Sequence, residues 1–170
     1  GGLSGCEAAL TLARLGHHVE LWEMRPVRNT PAHSGDRLAE LVCSNSFKGL
    51  GLASAHGLAK EELATLGSAL LPLAFQARPA GESLAIDRDR FSTLVEQAIA
   101  AEPNISLRRE ECVSVDPERW TLLAPGPLAS DAIHKALSEL VGGSRLSFFD
   151  AIAPIVEADS LDWDHCWKAN

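Results

Sequence analysis

The spacing of the hydrophobic positions changes from that of a helix to that of a strand within residues 4–23. Four small or apolar residues recur at i, i+3, i+4 and i+7, which predicts an amphipathic helix over residues 4–15; they are Cys6, Ala9, Leu10 and Ala13. Residues 18–23 then alternate between polar and apolar side chains and predict a strand. Two prolines and a glycine mark residues 24–37 as a loop.

The same alternation continues along the rest of the chain. A helical pattern over 58–77 places Leu63, Leu66, Leu70 and Leu73 on one face, and Pro72 is expected to end or kink it. Strands separated by helices predict an α/β protein. The predicted strands are 83–87, 105–109, 112–116 and 120–124. One predicted helix begins after an N-cap at Asp87, and another covers about 129–141. Further apolar runs lie at 146–149 and 152–156.

Three glycines stand directly before and within the start of the first predicted helix. Gly2 and Gly5 fit the second and third glycines of the dinucleotide-binding pattern Gly-x-Gly-x-x-Gly. In that pattern a strand precedes the glycines and a second strand ends in an acid. Glu23 is that acid, so we expect the first strand to lie before Gly1 and the chain to begin part-way through the motif.

Each of these residues has a physical role if a dinucleotide binds. Gly2 lets the backbone approach a pyrophosphate, Gly5 lets the helix pack closely on the sheet, and the helix N-terminus offers N–H groups to the phosphates. Glu23 accepts hydrogen bonds from ribose hydroxyls and disfavours a 2′-phosphate, which indicates FAD or NAD rather than NADP. The alternative is an ordinary glycine turn in front of a helix.

Cys43 is the candidate reactive residue. It ends a short apolar segment and precedes Ser44, Asn45 and Ser46, so its sulfur is expected at an edge where backbone donors favour a thiolate. The alternative is a buried cysteine that acts as a small hydrophobe.

Basic residues surround the same stretch of chain. Such residues attract the phosphates of a cofactor or of RNA, or are ordinary charges of a solvated loop. They are Arg25, Arg28, Arg37 and Lys48.

Composition narrows the class of protein. The chain has 170 residues, of which 46% are hydrophobic, and a formal net charge of -8, which argues against a surface that is basic all over. No apolar stretch approaches the ~20 residues that span a bilayer, so no membrane is expected among its partners. The four cysteines are far apart, without a CxxC pair, which predicts no metal site and a reducing, cytoplasmic location.

Several short segments become recognisable when they are taken in order. They are Glu23–Pro26, Thr30–His33, Ala39–Ser46, Lys60–Glu62, Leu84–Arg88, Gly126–Leu128 and Asp150–Val156. Over essentially its whole length the chain resembles the folate- and FAD-dependent tRNA (uracil-5-)-methyltransferases of bacteria. The segment that ends in Cys-Ser-Asn-Ser is specific, whereas the glycines are shared by many flavoproteins.

The resemblance implies a Rossmann-like FAD-binding domain over 1–150, with its first strand missing and with the loop and helical segment 24–80 included. Residues 151–170 would start an inserted α+β domain for substrate and tRNA. The implied reaction of the full-length protein is methylation of uridine 54 at C5 in the T-loop of tRNA. The carbon would come from 5,10-methylenetetrahydrofolate and the reducing hydride from NAD(P)H through FAD, and the fragment alone is expected to be inactive.

The resemblance also implies roles for individual residues. Cys43 is the implied catalytic cysteine, which handles the uracil or the methylene carbon. Glu23 would bind the FAD ribose with Arg25 beside it, and Asn45 and His33 would line the same region. The glycine segment would hold the pyrophosphate through Gly1, Gly2, Leu3, Ser4 and Gly5.

Gly126 is a further candidate for cofactor binding, because a late strand that ends in glycine passes near the cofactor in flavoproteins of this kind. The alternative is that Pro125, Gly126 and Pro127 form an ordinary turn. Two departures from the family pattern are visible. Pro125 stands where the family usually has threonine, and the segment before Pro79 is one residue shorter than usual. Either change is compatible with a diverged or defective copy.

Three alternatives remain open at this stage. One is the related FAD-dependent enzyme that modifies the wobble uridine of tRNA, against which the Cys-Ser-Asn-Ser run argues. Another is a generic FAD or NAD oxidoreductase that does not act on RNA. The last is a truncated nucleotide-binding remnant without enzymatic activity.

Overall fold

The computed structural model describes residues 1–42, 44–79, 83–142 and 158–166. Within these ranges the chain forms helices and strands in mixed order. They are α1 (Leu3–Arg14), β1 (Val19–Trp22), β2 (Ser46–Gly49), α2 (Ala55–Thr65), α3 (Leu70–Gln76), β3 (Ser83–Ala85), α4 (Arg88–Ala101), β4 (Ile105–Arg108), α5 (Asp131–Val141) and a 3₁₀ turn at Ala158–Ser160.

Strands β1 and β4 form a parallel pair, and their carboxyl ends therefore lie at the same edge. The register places Val19 opposite Ile105 and Trp22 opposite Arg108. The ladder continues past the end of β1, since the Glu23 N–H donates to the Arg108 carbonyl at 2.9 Å. Parallel strands require a crossover connection, and α4, which precedes β4, packs against it and against α1. The predicted α/β class is confirmed.

Helix α1 buries the face that its periodicity predicts: Cys6, Ala9, Leu10 and Ala13. This face packs on β1 and on α3 and α4. Burial of apolar surface of this kind contributes about 25 cal/mol per Å². The same core includes Leu21, Leu38, Leu70, Ala74, Leu84, Phe91, Val95 and Ile99.

The helical pattern at 58–77 forms two helices instead of one. The chain turns between α2 and α3 at Gly67, whose φ of +77° lies in the left-handed region that glycine adopts without a steric penalty. The expectation that Pro72 ends or kinks the helix is wrong, because Pro72 is the third residue of α3 and its nitrogen needs no partner there. The predicted leucine face is also wrong in part, since Leu63 and Leu66 are exposed.

Glu7 of α1 caps the N-terminus of α3. Its carboxylate accepts hydrogen bonds from the Ser68 hydroxyl at 2.7 Å, from the Ala69 N–H at 2.6 Å and from the Leu70 N–H at 3.0 Å. The first N–H groups of a helix have no partner inside it. A carboxylate carried by one helix therefore fixes where the next helix begins.

We expect Glu7→Ala to lower the free energy of unfolding by about 1–2 kcal/mol, because the cap of α3 is lost. Glu61→Ala, on the exposed surface of α2, is the matched control and should change stability by less than about 0.5 kcal/mol. Urea unfolding followed by circular dichroism measures both. Equal effects of the two substitutions would contradict a capping role for Glu7.

The remaining helices begin where the sequence predicts. The Asp87 carboxylate accepts a hydrogen bond from the Arg90 N–H at 3.0 Å and so caps α4. Helix α5 starts after Ser130, whose hydroxyl accepts from the Ile133 N–H at 3.4 Å. Strand β3 is also confirmed, and it pairs antiparallel with β2, which the sequence did not predict because its residues are mostly polar or small.

The predicted strands at 112–116 and 120–124 are wrong, since the structure describes both segments without strand structure. An alternating pattern becomes a strand only when a neighbouring strand pairs with its backbone groups. No described strand pairs with either segment. Trp120 and Leu122 are accordingly exposed to solvent.

Some predictions fall outside the described residues. They are the apolar runs at 146–149 and 152–156 and the domain boundary after residue 150. The start of an inserted α+β domain at 151–170 therefore stays a prediction.

Candidate dinucleotide-binding site

Three segments of chain meet at the carboxyl edge of β1: the glycines that precede α1, the residues that follow β1, and the loop 34–40. Gly1 joins them. Its nitrogen donates to the Trp22 carbonyl at 2.9 Å, and its carbonyl accepts from the Ala39 N–H at 2.8 Å. In open α/β sheets, ligands bind in the crevice outside the carboxyl ends of the strands, so this is where a dinucleotide site is expected.

The N-terminus of α1 is open to a ligand. Gly2 is the N-cap, and no side chain caps the helix. The N–H groups of Leu3, Ser4 and Gly5 have no partner inside a helix, and none forms another hydrogen bond within the described residues. These donors and the partial positive charge of the helix end suit an anion such as a pyrophosphate.

The glycines meet different surroundings. A Cβ atom on Gly1 would lie 2.7 Å from Glu23 Cβ and 2.7 Å from Leu38 Cδ2, which is too close. A Cβ on Gly2 would meet nothing within 4 Å, and one on Gly5 would lie at an ordinary 3.7 Å from Leu21 Cδ1. Gly1 is thus required by packing, Gly2 borders open space, and the close packing expected at Gly5 is not needed.

Because of these surroundings, substitutions at Gly1 and Gly2 should differ in their effect on the stability of the fold. We expect Gly1→Ala to destabilise the fold by about 1–3 kcal/mol through overpacking. Gly2→Ala should leave the free energy of unfolding within about 0.5 kcal/mol of the wild-type value, because its methyl group meets no protein atom. Thermal unfolding of the two variants tests this difference, and a larger loss for Gly2→Ala would contradict it.

Glu23 is buried at the end of β1 and is held by Arg25. Oε1 accepts from the Arg25 N–H at 3.0 Å and from Arg25 Nε at 2.9 Å, and Oε2 accepts from Arg25 Nη2 at 3.0 Å. Oε2 also lies 3.5 Å from the Gly1 nitrogen. This oxygen keeps acceptor capacity on the side of the glycine segment.

Arg25 is one of the largest fully buried side chains of the described residues, with 1% of its surface exposed. Besides Glu23, its guanidinium donates to Glu40 Oε2 at 2.7 Å, to the Gly35 carbonyl at 3.3 Å and to the Arg37 carbonyl at 3.0 Å. Guanidinium has five N–H donors, so protein acceptors take all five. The prediction that Arg25 binds the cofactor stays a prediction.

A second ion pair supports the first from the end of β4. Arg109 donates to Glu96 Oε1 at 2.7 Å and also to the carbonyls of Asp36 and Arg25. The Leu38 N–H donates to the same Glu96 oxygen at 3.2 Å. The loop 34–40 is thereby fastened to α4 and to the strand edge.

The surroundings of Glu23 and His33 shift the pKa values of both side chains. Burial raises the pKa of Glu23, but hydrogen bonds and charge from Arg25, together with the Gly1 amino group, outweigh it and hold the pKa at about 2. Glu23 is therefore ionised at neutral pH. Burial lowers the pKa of His33, and the charge of Arg25 adds to this effect, so His33 is uncharged at neutral pH.

The other predicted residues are not all brought to this site. Cys43 lies outside the described residues. Asn45 is exposed beside β2, where its carbonyl accepts from the Ile86 N–H at 2.6 Å. Gly126 has φ +72°, and no atom lies within 4 Å of a Cβ placed there, so its predicted approach to the cofactor stays a prediction.

The loop's basic residues do not form a free cationic patch. Arg25 is buried, Arg28 pairs with Glu111 at 2.8 Å and Arg37 pairs with Asp89 at 3.4 Å. Lys48 is exposed and forms no ion pair among the described residues. The interpretation as ordinary loop charges fits these contacts better than a phosphate-binding cluster.

Cys6 is confirmed as a packing residue. It is fully buried, and its thiol donates to the Gly1 carbonyl at 3.2 Å. Burial raises the pKa of this thiol to about 11.

Among the described residues, no group of three or more histidine, cysteine or acidic side chains is placed to hold a metal ion. None of the described helices has the length and apolar character that a membrane span requires.

Sequence reasoning missed Glu40, Glu96 and Arg109. The partners of these residues are distant in the chain: Glu40 binds Arg25, and Arg109 binds Glu96 and the carbonyls of Asp36 and Arg25. The available signal was weak: Glu40 lies within the specific segment Ala39–Ser46, and Arg109 is the last residue of the predicted strand 105–109.

Comparison with known proteins identifies the family and the relatives of this chain. A family model described as "Glucose inhibited division protein A" matches residues 1–170. Proteins named methylenetetrahydrofolate–tRNA-(uracil-5-)-methyltransferase are similar: those of Syntrophotalea carbinolica (49% identity, 99% of this chain, 37% of the relative), Aquifex aeolicus (50%, 96%, 37%) and Synechococcus sp. strain JA-3-3Ab (53%, 95%, 36%). The chain thus spans less than two fifths of the length of these relatives. It belongs to the glucose inhibited division protein A family.

Proposed function

We propose that this chain is the FAD-binding part of a folate-dependent tRNA (uracil-5-)-methyltransferase. Relatives that carry this name share about half of their matched residues with it, over nearly the whole chain. The observation that carries the cofactor proposal is the uncapped N-terminus of α1, bordered by open space at Gly2 and by the ionised Glu23.

The residues fit a dinucleotide in three respects. The first-turn N–H groups suit the pyrophosphate. The open space at Gly2 lets a phosphate approach the backbone, and the free acceptor capacity of Glu23 Oε2 suits a ribose hydroxyl. Gly1, Leu3, Ser4 and Gly5 provide the backbone around the pyrophosphate.

The charge of the site favours a ribose without a 2′-phosphate. Glu23 and Glu40 carry two negative charges around the single positive charge of Arg25, and all donors of Arg25 are taken. A 2′-phosphate would therefore meet a carboxylate without a free cation. FAD fits this site, and NAD(P)H acts in the proposed reaction as the reductant of the full-length protein.

The proposed reaction adds one carbon from 5,10-methylenetetrahydrofolate to C5 of uridine 54 in the tRNA T-loop. Uracil C5 is a poor nucleophile until the ring is activated, and the thiolate of Cys43 is proposed to act there. When bound, FAD supplies the electron transfer that no side chain provides. Asn45 is proposed to line the same region, and the location is proposed to be cytoplasmic.

The full-length protein that contains this chain tests the proposal. We expect it to purify with about one FAD per chain, and we expect Gly2→Ala to reduce the flavin content because its methyl group occupies the approach to the phosphate. Leu66→Ala, at an exposed position directly after α2, is the control and should retain flavin.

The outcomes separate the alternatives. Absence of flavin in the wild-type protein would contradict the proposal and support a nucleotide-binding remnant. Bound flavin without tRNA binding would indicate an oxidoreductase that does not act on RNA. Modification that persists when uridine 54 is replaced, and that depends on the wobble uridine, would indicate the related wobble enzyme.

A further inference from the structure

Arg25 lies where a cofactor-binding residue is expected, but its hydrogen bonds are made to other protein groups. It stands two residues after the acid that is proposed to bind ribose, where a free arginine would meet a phosphate. Its Nε and Nη2 instead form a two-pronged contact with both oxygens of Glu23, and Nη1 binds Glu40. Such paired contacts fix the plane of a carboxylate as well as its distance.

Glu40 binds the guanidinium of Arg25 on the side that does not face Glu23. Its Oε2 accepts from Arg25 Nη1 at 2.7 Å and from the Gly35 N–H at 3.3 Å, and its Oε1 accepts from the Ser34 N–H at 2.7 Å. Glu40 forms no described contact with Gly1, Gly2 or Glu23. Within the described part of the chain, Glu40 is linked to Glu23 through the guanidinium of Arg25.

We propose that Arg25 is a positioning residue, anchored by Glu40, which orients the Glu23 carboxylate toward the ribose and contacts no part of the cofactor itself. The orientation leaves Oε2 on the side of Gly1 with capacity for a hydroxyl donor. This inference rests on the proposed FAD site and adds Glu40 to it; neither Arg25 nor Glu40 contacts the cofactor.

The test uses the full-length protein loaded with FAD, and measures displacement of the flavin by ADP and by 2′-deoxy-ADP. In the wild-type protein, ADP should displace FAD at about tenfold lower concentration, because only ADP offers the 2′-hydroxyl to an ionised acceptor. Glu40→Gln should reduce this preference to less than about twofold, as the guanidinium loses its anchor and Glu23 its fixed orientation.

Asp89→Asn is the matched control, since it removes a carboxylate that pairs with Arg37 of the same loop but is exposed. It should keep the wild-type preference. A general weakening of the fold would impair binding of both nucleotides alike and leave their ratio unchanged, so the ratio reports orientation and not stability.

A folded Glu40→Gln protein with the wild-type ratio would overturn the inference. Equal displacement by both nucleotides in the wild-type protein would overturn it as well, because Glu23 would then not meet the 2′-hydroxyl. Failure of the wild-type protein to bind FAD would instead refute the proposed function. If Glu40→Gln does not fold, Glu40→Asp, which keeps the charge but shortens the reach, should show the same loss of preference.

Discussion

Cys43→Ala in the full-length protein is expected to reduce tRNA methylation by at least about 100-fold while FAD stays bound. Cys43 is proposed to activate the uracil ring, and alanine has no group that can add to carbon. The flavin should remain because the proposed dinucleotide contacts involve α1, Glu23 and the open space at Gly2. Methylation of a tRNA transcript and the absorbance of bound flavin measure the two effects separately.

The control for this substitution is Cys112→Ala. Cys112 is partly buried, and its thiol donates to the Ser114 carbonyl at 3.3 Å. Its replacement should leave both methylation and flavin content near wild-type values. Methylation at the wild-type rate by Cys43→Ala would remove Cys43 from the catalytic proposal, and loss of flavin in that variant would assign it a structural role instead.

Arg25→Ala is expected to lower the free energy of unfolding by about 3–5 kcal/mol, the range seen when one partner of a buried ion pair is removed. The substitution removes the guanidinium that binds both oxygens of Glu23, a side chain that is only 6% exposed. Arg28→Ala is the matched control, because its pair with Glu111 is more exposed and should contribute less than about 1 kcal/mol. Urea unfolding of the two variants measures the difference.

The pH dependence gives Arg25→Ala a second test. Since the pKa of Glu23 is lowered from 4.5 to about 2 in the folded chain, its ion pair contributes stability that is complete above pH 4.5. That contribution is lost as the pH falls from 4.5 toward 2. Arg25→Ala should lose less stability across this interval than the wild-type chain. Equal losses would show that the pair with Arg25 is not what holds Glu23 ionised.

The sequence predicted the elements whose signal is local. The spacing of apolar residues located α1, Asp87 marked the start of α4, and the alternation before Glu23 located β1. These signals depend on neighbours three or four residues away, or on the pleat of a single strand. They need no knowledge of the rest of the fold.

The predictions that failed concern residues whose structure depends on partners that are distant in the chain. The segments 112–116 and 120–124 alternate like strands, yet no described strand pairs with them. The role of Arg25 was hidden for the same reason, because a charged residue in a loop rich in proline is usually solvated. Its burial became visible only when Glu40 and the end of β4 were placed around it.

The most direct test of the proposed function follows the methylene carbon. Full-length protein loaded with FAD is incubated with NADPH, tRNA and 5,10-methylenetetrahydrofolate that is isotopically labelled in the methylene group. We predict that the label appears as 5-methyluridine at position 54, that a tRNA with cytidine at this position stays unlabelled, and that removal of the flavin abolishes the transfer. Flavin-loaded protein that leaves the tRNA unlabelled, or labels it equally without uridine 54, would contradict the assignment of this chain to a folate-dependent tRNA methyltransferase.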